Sequence, residues 1–210
     1  MKMETLNPHV IKIMIAARKE DSIRAISKRI GLSYGWTYRW AAELEEAGVF
    51  KRTSKKIFLN ETAPFYRKVV ALLRDIFSRD VVFHYNVLAW FGIKYCFTGI
   101  DAVFAWTDGG YNIARSMEHY PIFIKVRKED REILGYYTRK LGLKGKIFYK
   151  PVFLDDFPIS FHEEIPVDSL EETIKFMKKY IYNFQPALEM VQEMYGKAWR
   201  VRYKEAATNV

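Results

Sequence analysis

The residues best suited to chemistry lie between positions 22 and 56, where cations, aromatics and small polar residues alternate. Arg24, Lys28 and Arg29 precede the stretch Ser33-Tyr34-Gly35-Trp36-Thr37-Tyr38-Arg39-Trp40, and Lys51, Arg52, Lys55 and Lys56 follow it. Lysine and arginine at such spacing neutralise phosphates and fix register on a polyanion without reading its sequence. Ser33, Tyr34, Tyr38 and Arg39 bear hydroxyl and guanidinium groups with the chemistry to contact base edges. An arginine fork matches the two acceptors of guanine, and a tyrosine meets a thymine methyl or a phosphate.

Other chemistry has thinner support. Asp101, Asp108, His119 and Arg115 could converge as a nuclease arranges such groups, yet Asp108-Gly109-Gly110 is also a turn signal. His162-Glu163-Glu164 near Asp155-Asp156 matches no established metal-ligand spacing. The single cysteine, Cys96, lies between aromatics and reads as a buried small hydrophobe, not a nucleophile. No glycine-rich phosphate loop is present. No catalytic residue, metal site or cofactor is therefore expected.

The elements that must position the basic run follow from periodicity and caps. Asn7-Pro8 opens a helix to about Lys19, and Asp21-Ser22 opens a shorter one ending at Gly31. Ser33 caps a third helix to about Ala47, and Trp36, Trp40 and Leu44 form its expected buried stripe. Val49-Phe50 and Ile57-Phe58-Leu59 bracket a basic tip as a β-hairpin, and Pro64 starts a helix to about Ser78. Beyond it, residues 81–91 fit helix or strand equally. Strands are expected at 93–97, 121–126 and 146–153. Helices are expected after Thr98-Gly99, at 128–141, from the Ser169 capping box, and from Pro186. Phe148, Tyr149, Phe153, Phe157 and Phe161 read as core, while Tyr136-Tyr137 and Tyr180–Tyr182 could mark a protein interface.

The charge balance agrees with a polyanion partner at one end. The chain has 210 residues and a formal net charge of +9. Residues 1–80 hold 16 Lys and Arg against 9 Asp and Glu, whereas residues 81–210 hold 18 against 16. A Lys- and Glu-rich surface explains abundant charge but not this one-sided placement. One cysteine excludes a disulfide framework, and no apolar run is long enough to span a bilayer. A soluble, cytoplasmic protein without a membrane partner is expected.

The run from Ser22 to Gly48, followed by the hairpin at 49–59, resembles a winged helix-turn-helix. That resemblance implies a DNA-binding domain at 1–61 whose third helix enters the major groove and whose hairpin is the wing. The helix within 62–80 then serves as a linker or a dimerisation element, which makes a homodimer the expectation. Residues 81–205 read as an α/β domain for dimerisation, partner or effector binding, within an overall α+β / α/β class. Tyr95-Cys-Phe-Thr-Gly-Ile-Asp-Ala-Val-Phe-Ala-Trp106 and Tyr120-Pro-Ile-Phe-Ile-Lys-Val126 resemble a nucleotidyltransferase-like core. With a basic winged helix ahead of it, the order is similar to AbiEi-type antitoxins, and the paired Asp-x-Asp metal ligands of an active transferase are missing. The resemblance implies a sequence-specific duplex DNA-binding transcriptional regulator, in its sharpest form an antitoxin-like autorepressor with a toxin-like protein partner. The alternatives are a nucleic-acid-acting enzyme, nuclease or nucleotidyltransferase, and a protein-binding module of a replication or transcription assembly.

Overall fold

The computed structural model describes residues 7–113 and 115–196. The fold is of mixed α+β class, as expected, and divides into two compact units. The first takes the chain up to Lys94 together with Lys128–Phe148, and the second takes Tyr95–Arg127 and the chain from Tyr149 onward. The chain thus passes between units at three places, not once after the helix within 62–80.

In the first unit the order is α1 (Pro8–Ala16), β1 (Glu20–Asp21), α2 (Ile23–Ile30), α3 (Tyr34–Glu46), β2 (Phe50–Arg52) and β3 (Ile57–Leu59). The side chains of Asn7, Ser22 and Ser33 accept hydrogen bonds from His9, Ala25 and Trp36 amides, which caps all three helices as the sequence implies. Gly31 ends α2 in the left-handed region at φ 67°, and the Leu32 amide then reaches the Ser27 carbonyl. The three strands form an antiparallel sheet in the order β1-β3-β2, with Lys51 opposite Phe58 and Arg52 opposite Ile57. The two-residue β1 is too short to show alternation, so periodicity does not reveal it.

Two sequence expectations fail here for packing reasons. Helix α3 buries Thr37, Trp40, Ala41 and Leu44, a stripe that passes beside Trp36. Trp36 is instead 51% exposed, lying over Trp40 with ring centroids 6.3 Å apart. Arg29, expected on phosphate, has a side chain only 7% exposed. Its guanidinium pairs with Asp21 at 2.8 Å and donates to the Ala16 carbonyl at 2.7 Å. A Cβ at Gly92 would stand 2.1 Å from Arg29 Cγ, so that glycine leaves the room the arginine needs.

The unit continues with α4 (Pro64–Arg79), α5 (Val81–Val87), a 3-10 turn at Leu88–Trp90, and α7 (Arg131–Leu141) after the chain returns. The stretch 81–91, undecided in sequence, is thus helical up to Trp90, and Asp80 caps it through the Phe83 amide. Helix α7 supplies the stop for α1. Lys140 Nζ donates to the carbonyls of Met14, Ile15 and Ala17 at 2.6, 3.1 and 2.9 Å, and the Tyr137 hydroxyl donates to Ala16 at 2.9 Å. These are the carbonyls a helix end leaves without intrahelical partners, and a cation there also faces the negative end of the helix dipole.

The second unit is built on a five-stranded sheet in the order β6-β5-β4-β8-β7. Its strands are β4 (Tyr95–Phe97), β5 (Tyr120–Arg127), β6 (Ile147–Leu154, of which Tyr149 onward belongs to this unit), β7 (Ser160–His162) and β8 (Ile165–Val167). Strand β4 pairs antiparallel with β5 and parallel with β8. Helices α6 (Ile100–Trp106), α8 (Leu170–Lys179) and α9 (Ile181–Tyr195) enclose a core of Val103, Ile174, Met177, Phe184, Ala187, Leu188 and Val191. Pro186 falls inside α9 instead of opening it; the helix starts five residues earlier, so the proline sits in its second turn. Of the aromatics expected in the core, Phe161 is 66% exposed, because on β7 it alternates with the half-buried Ser160 and His162 and takes the outward position. Among the described residues no helix is long and apolar enough to cross a membrane.

Cys96 is fully buried on β4, its thiol directed at Asp168 Oδ1 at 3.5 Å. A thiol reagent such as DTNB is therefore expected to leave the native protein unmodified and to titrate one equivalent in denaturant. Rapid labelling of native protein would contradict this burial.

Candidate nucleic-acid interface

A groove of about 640 Å³ runs between α2, the leading end of α3 and the β2–β3 hairpin. From α2 it receives Arg24 and Lys28, from α3 Tyr34 and Tyr38, and from the hairpin Arg52, Lys55 and Lys56. Ser22, Ser27, Thr53 and Ser54 add small polar groups, and no carboxylate lines it. The local reasons are legible. Arg24 and Lys28 are one helical turn apart on the exposed face of α2, opposite Ile26 and Ile30, which are buried. Tyr34 and Tyr38 are likewise one turn apart, 54% and 43% exposed, with ring centroids separated by 6.1 Å. The hairpin tip is closed by the Thr53 amide and hydroxyl, which both donate to the Lys56 carbonyl.

The seven cations proposed for phosphate do not share one environment. Arg24, Lys28, Lys51 and Lys55 are exposed. Arg52 is tied to Glu45 at 3.0 Å and lies over the Tyr38 ring at 4.9 Å. Lys56 pairs with Glu20. Arg29 serves the fold, as described above. Lys51 alternates out of the groove's lining on β2, as strand geometry requires.

The four proposed base readers also divide. Tyr34 and Tyr38 line the groove, whereas Ser33 and Arg39 do not. Ser33 is occupied as the cap of α3. Arg39 has a side chain 61% exposed, with its guanidinium 5.5 Å from the Trp36 ring centroid and 5.4 Å from that of Trp40. It therefore belongs to a second exposed strip of α3, with Trp36 and His9, whose ring lies 6.3 Å from Trp36. Sequence reasoning missed Trp36 as a surface group. The signal was available: Thr37 and Trp40 with Ala41 and Leu44 make a continuous face without it.

The second unit contains three polar clusters of its own. Asp168 accepts from Lys125 Nζ at 2.6 Å and from the Thr98 hydroxyl, and its backbone carbonyl accepts from the Trp106 indole at 2.9 Å. Asp101 pairs with Arg115 at 2.6 Å, both side chains fully buried, and also accepts from the Phe123 amide at 2.6 Å. Asp108 instead meets His162 at 2.6 Å, so Asp101 and Asp108 serve separate clusters. Asp108, His162 and Glu163 place one ligand atom each within 4.8 Å of one another, while Asp155 and Asp156 are outside that group. The buried Asp101–Arg115 pair, with each Asp101 oxygen already accepting a hydrogen bond, holds the fold together.

No protein-family model, curated protein or solved structure matches this chain. Its class rests on the geometry just given: an α+β protein with a carboxylate-free basic groove in its first unit.

Proposed function

We propose that the chain binds duplex DNA and acts as a sequence-specific transcriptional regulator. The observation that carries this reading is the groove lined by five cations and two exposed tyrosines with no carboxylate among them. The element order α1-β1-α2-α3-β2-β3, with strand order β1-β3-β2, fits a winged helix whose α3 enters the major groove. In this reading Tyr34 and Tyr38 meet base edges, and Arg24, Lys28 and Lys55 clamp phosphates on either side. Arg39 and Trp36 extend the contact along the outer strip of α3. The second unit supplies dimerisation or a partner surface, and an antitoxin-like autorepressor in the cytoplasm is the sharpest form of the proposal.

The test is fluorescence anisotropy of a labelled duplex titrated with the full chain across a salt series. With two groove cations already paired and three making no ion pair among the described residues, the expected slope of log affinity against log salt is about −3 to −5. Affinity that does not change with salt, or no binding at low salt, would remove the reading.

A further inference from the structure

A second concave site lies elsewhere in the first unit, between α4 and α7, and stands apart from the DNA reading. It has a volume of about 580 Å³, within the range of pockets that hold small organic ligands. Helix α4 contributes Tyr66, Arg67 and Arg74; helix α7 contributes Tyr136, Arg139 and Lys140; Lys19 and Glu61 complete the polar lining. Five basic side chains thus face one carboxylate. Their presence on neighbouring helices follows from the one-turn spacing of Tyr136 and Lys140, and from the seven-residue spacing of Arg67 and Arg74.

Glu61 is the one carboxylate among the described lining residues, while Lys19 and Arg139 also border a neighbouring recess with Glu20, Glu129, Asp130 and Glu132. Glu61 is engaged by the Tyr136 hydroxyl at 3.3 Å. Arg74 is held in place by donating from Nε and Nη2 to the Lys140 carbonyl at 3.3 and 3.1 Å, which does not reduce its charge. Lys19, Arg67 and Arg139 are exposed and make no ion pair among the described residues. Deeper in, the Lys140 ammonium lies 5.6 Å from the Tyr66 ring centroid and 5.7 Å from that of Tyr136. Burial, reinforced by the Glu61 carboxylate, pushes both phenols well above their ordinary range, so both remain neutral hydrogen-bonding groups. The recess is floored by buried Tyr66, Val70 and Lys140, a shape that suits a compact anion entering it more than a duplex lying across it.

We propose that this cavity is a binding site for a small phosphate-bearing molecule, its phosphate held by Arg67, Arg139 and Lys19 and its remaining atoms against Tyr136. Arginine forks bond phosphate oxygens in pairs, and gathered like charges gain most from a dianion. Such a ligand would sit beside the lysine that closes α1, which itself packs against α3.

The experiment is calorimetric titration of the full chain with pyrophosphate at about 100 mM potassium chloride, where loose surface attraction is screened. The expected result is a single saturable site. Arg67→Ala/Arg139→Ala should weaken it at least about tenfold with an unchanged melting curve, since both side chains are exposed. Glu61→Gln should tighten it, and Lys55→Ala in the hairpin should leave it unaltered. Absence of saturable binding, or equal binding by the double variant, overturns the proposal. So does a double variant that loses duplex affinity while keeping pyrophosphate, because the cavity would then be part of the DNA surface. Failure of the chain to bind DNA leaves this titration fully interpretable.

Discussion

Arg24→Ala/Lys28→Ala/Lys55→Ala loses about two orders of magnitude in duplex affinity at low salt, and its salt slope is shallower by about three units. Each cation that neutralises a phosphate releases roughly one counterion, so deleting three removes three from the slope. The choice of these three is structural. They line the groove, they are exposed, and none is paired with a carboxylate among the described residues. Arg52 and Lys56 are already committed to Glu45 and Glu20, so replacing either alone should cost less than replacing Lys55. The converse substitution sharpens the point: Glu20→Gln releases Lys56 and should raise affinity and steepen the slope. Arg29→Ala should behave differently from all of these. It strips the buried cation from Asp21 and one of two donors from the Ala16 carbonyl, which keeps the Tyr137 hydroxyl, so it lowers stability before it touches binding. A triple variant with unaltered slope in the same anisotropy series would mean that the groove is not where DNA lies.

Much of the first unit was legible because its signals are local. Asn7, Ser22 and Ser33 cap helices through hydrogen bonds reaching two or three residues, and Gly31 stops one through its own backbone. The hairpin is bracketed by apolar pairs around a polar tip, and the cations of the groove cluster in 33 residues of sequence. What stayed hidden depends on partners far along the chain. Arg29 looks like any surface cation until Asp21 and the end of α1 fold against it. Lys140 looks like the solvated last turn of a helix, yet its partners are more than 120 residues away. The same distance hides the cavity between α4 and α7, whose basic side chains come from positions 19, 67, 74, 139 and 140. In the second unit β7 and β8 are three-residue strands, too short for a period-two pattern, so Asp168 gave no sign that it would meet Thr98 and Lys125.

Lys140 carries the largest stability effect expected from one side chain. Lys140→Met keeps the length of the stem but removes all three donors to Met14, Ile15 and Ala17, and the carbonyls are then buried without partners. A cost of about 2–4 kcal/mol at neutral pH follows, read by urea denaturation. Its pH dependence distinguishes two forces. Burial draws the ammonium from its ordinary 10.5 down to about 7, with the Glu61 and Asp21 charges opposing and Arg29 assisting. A folded value below the unfolded one means that the unfolded chain binds more protons between pH 7 and 10.5, so stability rises with pH across that window. The wild type should therefore gain on Lys140→Met between pH 7 and pH 9, and the penalty of the substitution should grow. The carbonyls and the negative end of α1 act the other way, since they favour the charged form. A penalty that stays flat from pH 7 to pH 9 would show that they win and that the lysine keeps its proton in the core. Either outcome fixes the charge at the inner wall of the cavity, and with it how strongly Lys140 itself attracts an anion there.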